Sequence, residues 1–279
     1  MKLSAYIRLM RFHKPVGILL LWLPTAWALW IANQGHPPIM LTCYFLLGTI
    51  FMRAAGCIVN DMADRHIDKH VHRTKMRPVT TGEISLLRAF ILLCGLLLSS
   101  LYIVLQLPII CLYESFIALF ITLLYPFCKR IFQAPQLVLG LAFSMGIPMA
   151  YTASGIMFNG TMIILFLLNF AWIVAYDTIY AMADRMDDLR IGVKSTAILF
   201  APYDRLIVFM LQMIAHGLWF FLALRLHYSL GFFLCWGAAI IMLVYQHCLM
   251  RFNQERTYLA AFSSNVWYGI LMWIGLIIG

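Results

Sequence analysis

Apolar stretches of about 20 residues, each long enough to cross roughly 30 Å of hydrocarbon as a helix, recur from Val16 to the end of the chain. Nine are read, at 16–33, 39–58, 86–106, 109–127, 136–156, 161–181, 205–225, 229–249 and 259–278. Backbone groups surrounded by lipid must satisfy one another, and continuous runs of this length do so as helices. The fold class expected is therefore all-α: a polytopic membrane protein with nine transmembrane helices in one domain covering 1–279. Composition closes the soluble alternative, because 63% of the 279 residues are hydrophobic and only 11% are charged.

The net charge of +9 raises a nucleic-acid partner, but its distribution argues for membrane topology instead. Eighteen of the 20 Lys and Arg fall in alternate connections: Lys2 to Lys14, Arg65 to Arg88, Lys129 and Arg130, Arg185 to Arg205, and Arg251 with Arg256. Only Arg225 lies on the other side and Arg53 within a span. This bias places the N-terminus in the cytoplasm and the C-terminus outside, which requires an odd number of spans. Nothing before the first span looks like a cleaved or organellar presequence, so a bacterial inner membrane, with a periplasmic C-terminus, is the expected compartment.

The tetrapeptide Met62-Ala63-Asp64-Arg65 returns as Met182-Ala183-Asp184-Arg185, 120 residues later, and Asp68 aligns with Asp188 at the same offset. Both copies follow an even-numbered span on the cytoplasmic side, with four spans between them. A duplicated four-helix unit, helices 1–4 and 5–8 with helix 9 added, accounts for this economically. Both copies then face one cavity.

Seven of the 11 acidic residues lie in these clusters: Asp61, Asp64 and Asp68 in the first, Asp177, Asp184, Asp187 and Asp188 in the second. Carboxylates at the edge of hydrocarbon need a counter-ion. If the second span continues as a helix, Asp61, Asp64 and Asp68 share one face, and Asp177, Asp184 and Asp188 do likewise. Two carboxylate stripes facing each other suit a hard cation, and magnesium, which takes few carboxylates and completes its shell with water and phosphate oxygens, suits them best. Ion pairs with neighbouring arginines are the plainer explanation, above all for Asp187.

Each stripe is followed by cations: Arg73, Lys75 and Arg77 after the first, Arg190 and Lys194 after the second. Arg73, Arg77 and Lys194 either clamp a diphosphate beside the metal or simply enforce the positive-inside bias. Lys129 stands on the same side as another candidate, while Lys69, Lys75 and Arg88 are read as topology signals. Arg53, deep in the second span, calls for an anion, yet Asp61 is eight residues away, about 12 Å along a helix. A substrate carboxylate fills that gap. His66, His70 and His72 match no zinc spacing.

Asn60-Asp61-Met62-Ala63-Asp64-Arg65-His66-Ile67-Asp68 resembles the NDxxDxxxD motif of the UbiA superfamily of intramembrane prenyltransferases, and Asp177 to Asp188 resembles its DxxYAxxDxxDD motif. The likeness runs over nearly the whole chain, including Met52 to Cys57, Arg73 to Pro78 and Lys194 to Phe200, and is nearest to the members acting on 4-hydroxybenzoate in ubiquinone biosynthesis. It implies nine helices around a central cavity that opens sideways for a lipid tail, and a magnesium-complexed polyprenyl diphosphate as donor. Asn60, Asp61, Asp64 and Asp68, with Asp177, Asp184, Asp187 and Asp188, would bind that complex, and Asp61, Asp64, Asp184 and Asp188 stand out as catalytic candidates. The resemblance further implies that Arg53, helped by Arg11, pairs with the benzoate carboxylate and that Tyr125 and Lys129 contact the diphosphate. Which second-motif aspartates hold metal and which accept a proton stays open. Another aromatic acceptor is one alternative. A secondary transporter is another, but it would be expected to carry its charges at the bilayer midplane on broken helices.

Overall fold

The computed structural model describes residues 2–279, and every regular element among them is helical. In chain order these are α1 (Lys2–Leu9), α2 (Val16–Ala32), α3 (Ile39–Asp64), a 3₁₀ turn (Asp68–His70), α4 (Leu86–Val104), α5 (Ile109–Ile131), α6 (Pro135–Ser144), α7 (Gly146–Ala153), α8 (Gly160–Ile191), α9 (Thr196–Leu199), α10 (Asp204–Arg225), α11 (Leu230–Met250) and α12 (Glu255–Ile278). Eight segments are long and apolar enough to cross a membrane, with α6 and α7 counted together, and α2 is a ninth apolar helix of 17 residues. The nine expected spans are all present.

Their ends differ from expectation in ways that matter. The fifth span is broken at Met145. Pro148 lacks the N–H that would reach Ser144 four residues back, so the ladder is interrupted there. Asn169 on α8 donates to the Ser144 hydroxyl at 2.9 Å, and the residues at the break are uncharged. The chain thus has a broken span, as a transporter would, without the charges that a transporter would place in it.

The two motif-bearing helices also end differently. The second span, read to residue 58, runs to Asp64 and stops, so Asp68 lies on the following 3₁₀ turn and not on the helical face of Asp61 and Asp64. The sixth, read to residue 181, continues to Ile191 and carries the whole second motif on one helix. Local sequence explains the contrast. After Asp184 come Met186, Leu189 and Arg190, good helix formers, and then Gly192, whose φ of 72° makes it the left-handed cap. After Asp64 come histidines, Val71 and Thr74, which hold a helix poorly.

Helix α8 is the centre of the bundle. Of its apolar window 72% is buried, against 11% for α5, whose Ile117 and Phe120 face outward as lipid-facing residues do. Trp27 of α2 packs 5.1 Å from both Trp172 of α8 and Trp219 of α10. The indole N–H groups of Trp27 and Trp172 donate to the Gly269 carbonyl and the Asn265 side chain of α12, at 3.1 and 2.9 Å. These contacts lock α2, α8, α10 and α12 together. A cavity of about 330 Å³ is walled by residues from α2, α3, α4, α5, α6 and α7, mostly apolar groups such as Phe45, Met52, Leu97, Phe116 and Phe143.

Candidate active site at the ends of α3 and α8

The last turns of α3 place Asp61 and Asp64 in almost complete burial, at 0% and 1% exposure. Charges so buried require partners, and the chain supplies them from distant segments. Arg11 donates to Asp61 at 2.7 Å. Arg77 bridges Asp68 at 2.7 Å and Asp61 at 3.2 Å, which reunites the two carboxylates that the end of α3 separates. Lys129, in the last turn of α5, pairs with Asp64, and Arg130 stands 3.9 Å from it.

The connection between α3 and α4 is a folded cap, with Val71, Thr74, Val79, Thr80 and Ile84 buried. It joins the two motifs. Arg73 forms a two-pronged pair with Asp184, contacts the Tyr180 hydroxyl and lies over the Tyr180 ring, 4.7 Å from its centre. The His72 backbone N–H donates to Asp187 at 3.1 Å. With Arg73 on the second motif and Arg77 on the first, five residues of one loop span both clusters. Burial pushes each guanidinium toward neutrality, and the groups facing it, Tyr180 and Asp184 for Arg73 and Asp61 and Asp68 for Arg77, more than reverse this, so both pKa values are raised.

Arg53 lines the cavity, as does Gly56, so the lined stretch of α3 ends one turn before Asn60. Its guanidinium lies 5.9 Å from the Phe143 ring centre, its buried Nε has no hydrogen-bond partner, and it forms no ion pair within 4.0 Å among the described residues. It is the cation whose charge acts most on the buried Asp177 of α8.

Several expected placements change. Arg11 sits on Asp61 and does not stand beside Arg53 as a second carboxylate clamp. Lys194 does not point at the clusters. Its ammonium donates to the Ile131 carbonyl at 2.8 Å and its backbone N–H to the Lys129 carbonyl at 2.9 Å, so it caps the C-terminus of α5 and fixes the residue that carries Lys129. Asp187 faces the loop, held by His72 and standing 3.7 Å from Arg190. Two contributors were not read from the sequence. Tyr180 lies inside the second motif, and Arg130 adjoins Lys129, so position was the available signal for both.

The donor set suits a hard cation. Asn60 Oδ1, Asp61 Oδ2 and Asp64 Oδ1 are buried oxygens without a hydrogen-bond donor, a costly state unless something positive meets them. No three acidic, His or Cys side chains among the described residues close a full protein cage. An ion that shares its shell with phosphate oxygens and water needs none. Asn60, Asp61 and Asp64, with Asp68, Asp184 and Asp188, are the residues that could hold it.

The profile of the UbiA prenyltransferase family matches residues 21–274. A Legionella pneumophila (strain Lens) protein named 4-hydroxybenzoate octaprenyltransferase is 58% identical over 98% of this chain and 97% of its own. One of the same name from Coxiella burnetii (strain CbuK_Q154) is 44% identical over 98% and 95%. Among solved structures, the apo UbiA homolog from Aeropyrum pernix K1 superposes with a TM-score of 0.81 at 20% identity, covering 93% of this chain and 97% of that one. The Archaeoglobus fulgidus UbiA homolog bound to GPP and Mg2+ gives 0.72 at 19% identity, covering 96% and 99%. This chain is a multi-pass membrane protein of the UbiA prenyltransferase family.

Proposed function

We propose that this protein transfers a polyprenyl group from polyprenyl diphosphate to the ring carbon ortho to the hydroxyl of 4-hydroxybenzoate, an early membrane step of ubiquinone biosynthesis. The observation that carries the reading is the position of Arg53, a guanidinium without an ion-pair partner on the wall of an apolar cavity, eight residues of α3 before the first carboxylate of the first cluster. The names of the 58% and 44% identical relatives support the same acceptor. The protein is a bacterial inner-membrane enzyme with a cytoplasmic N-terminus and a periplasmic C-terminus, and its motif ends derive from a duplicated four-helix unit.

The residues divide the work as follows. Arg53 holds the acceptor carboxylate, which directs the phenol ring along the cavity. Asp61, Asp64, Asp68, Asp184 and Asp188 hold the divalent ion with the diphosphate. Magnesium, when bound, offsets the charge of the diphosphate and of its leaving oxygen. Arg73, Arg77 and Lys129, each paired with an aspartate of the clusters, stabilise charge developing on the departing diphosphate as the allylic C–O bond breaks. Phe143, Met52 and the other apolar groups of the cavity exclude water from the allylic carbon. The ring carbon ortho to the hydroxyl then bonds to it, and the displaced ring proton passes to a carboxylate. Asp177 and Asp188, which carry no ion pair, are the candidates to take it.

The test is to incubate membranes containing the protein with a polyprenyl diphosphate and a panel of aromatic acids, with and without magnesium, and to identify the product by mass. Magnesium-dependent prenylation of 4-hydroxybenzoate is expected, with Arg53→Ala raising the KM for the acid about 100-fold while the diphosphate KM holds. Equal prenylation of an uncharged phenol, or unchanged acid kinetics in Arg53→Ala, would refute the carboxylate assignment.

A further inference from the structure

Gly17 lies in the first turn of α2, and a Cβ built there would fall 2.5 Å from both Nε and Nη2 of Arg53 and 2.8 Å from Cζ. The guanidinium is thus pressed against the bare backbone of α2 on one side, with the Phe143 ring 5.9 Å from its carbon. We propose that Gly17 is a positioning residue: the absence of a side chain there sets where Arg53 presents its charge, and with it the register of the aromatic acid. The inference rests on Arg53 as the carboxylate-binding group.

The physical case is one of distance. Ordinary carbon contacts lie at about 3.5–4.0 Å, so a methyl at position 17 displaces the guanidinium by roughly 1 Å. The atoms in the way are the far end of a flexible side chain, and alanine favours a helix more than glycine does, so Gly17→Ala should fold as well as the parent. The variant moves the charge without removing it. An acceptor misplaced by about an ångström reacts poorly, since bond formation between the ring carbon and the allylic carbon tolerates little error in position.

The experiment is a double-mutant cycle on Gly17→Ala and Arg53→Ala, reading kcat/KM for 4-hydroxybenzoate and KM for the polyprenyl diphosphate. Gly17→Ala is expected to lower kcat/KM for the acid about tenfold with the diphosphate KM unchanged, and to have no further effect once Arg53 is alanine. If Arg53→Ala impairs use of the acid and Gly17→Ala does not, the positioning role is wrong while the carboxylate reading stands. The same holds if Gly17→Ala costs as much without Arg53 as with it, because the methyl would then act elsewhere. If Arg53→Ala itself leaves the acid kinetics untouched, the carboxylate reading falls and takes this role with it.

Discussion

At the end of α3, Asp61 and Asp64 have side chains exposed by only 1% and 2%, whereas on α8 the side chains of Asp184 and Asp187 are exposed by 15% and 24%. The first cluster is neutralised from several directions: Arg11, Arg77, Lys129 and Arg130 all reach it. The second receives only Arg73 on Asp184 and a distant Arg190 on Asp187, and among the described residues no cation stands within 4.0 Å of Asp177 or Asp188. Two copies of one tetrapeptide have therefore been put to different physical uses. The first is a fixed cluster whose burial demands internal counter-charge. The second leaves whole carboxylates, Asp177 and Asp188, without an ion pair, where the first leaves only single oxygens of Asp61 and Asp64 without a donor.

The largest effects should come from breaking both sides of this pairing. Asp64→Asn and Asp184→Asn are each expected to lower kcat by about 10³-fold or more, and the double variant to be little worse than either, since residues acting on one ligand are not additive. Purely additive losses in turnover assays would separate the clusters. Next, Arg73→Lys should lower kcat/KM for the diphosphate by about 10–100-fold, because an ammonium cannot reproduce the two-pronged contact with Asp184 or the stacking on Tyr180. Full activity would make Arg73 a topology charge only. Lys194→Ala should cost a few-fold in diphosphate KM, acting through the α5 end that carries Lys129, and the loss should disappear when Lys129 is already alanine.

Much of this architecture was legible in the sequence. The nine spans stand out because lipid solvation demands long apolar runs, and the two clusters stand out because carboxylates are so rare elsewhere in the chain. Partnerships were not legible. Arg11 meets Asp61 across 50 residues and Arg73 meets Asp184 across 111, and nothing local in the sequence encodes which cation finds which carboxylate. The stop of α3 at Asp64 was missed because aspartate spacing alone fits a continuing helix, while weak helix formers after it and the pull of Arg77 on Asp68 end it. The charge of Lys194 leaves a diphosphate clamp and a topology signal equally open, but at a helix C-terminus the nearest unsatisfied groups are backbone carbonyls.

The central claim is that the fixed and the free cluster form one site around a metal-bound diphosphate. It is tested most directly by measuring equilibrium binding of a labelled polyprenyl diphosphate to membranes of the parent, Asp64→Asn and Asp184→Asn proteins across a magnesium titration, without acceptor. The account predicts that the parent shows a magnesium-dependent component and that either substitution alone removes it. Full magnesium-dependent binding in the Asp184→Asn protein, with loss only in Asp64→Asn, would contradict it.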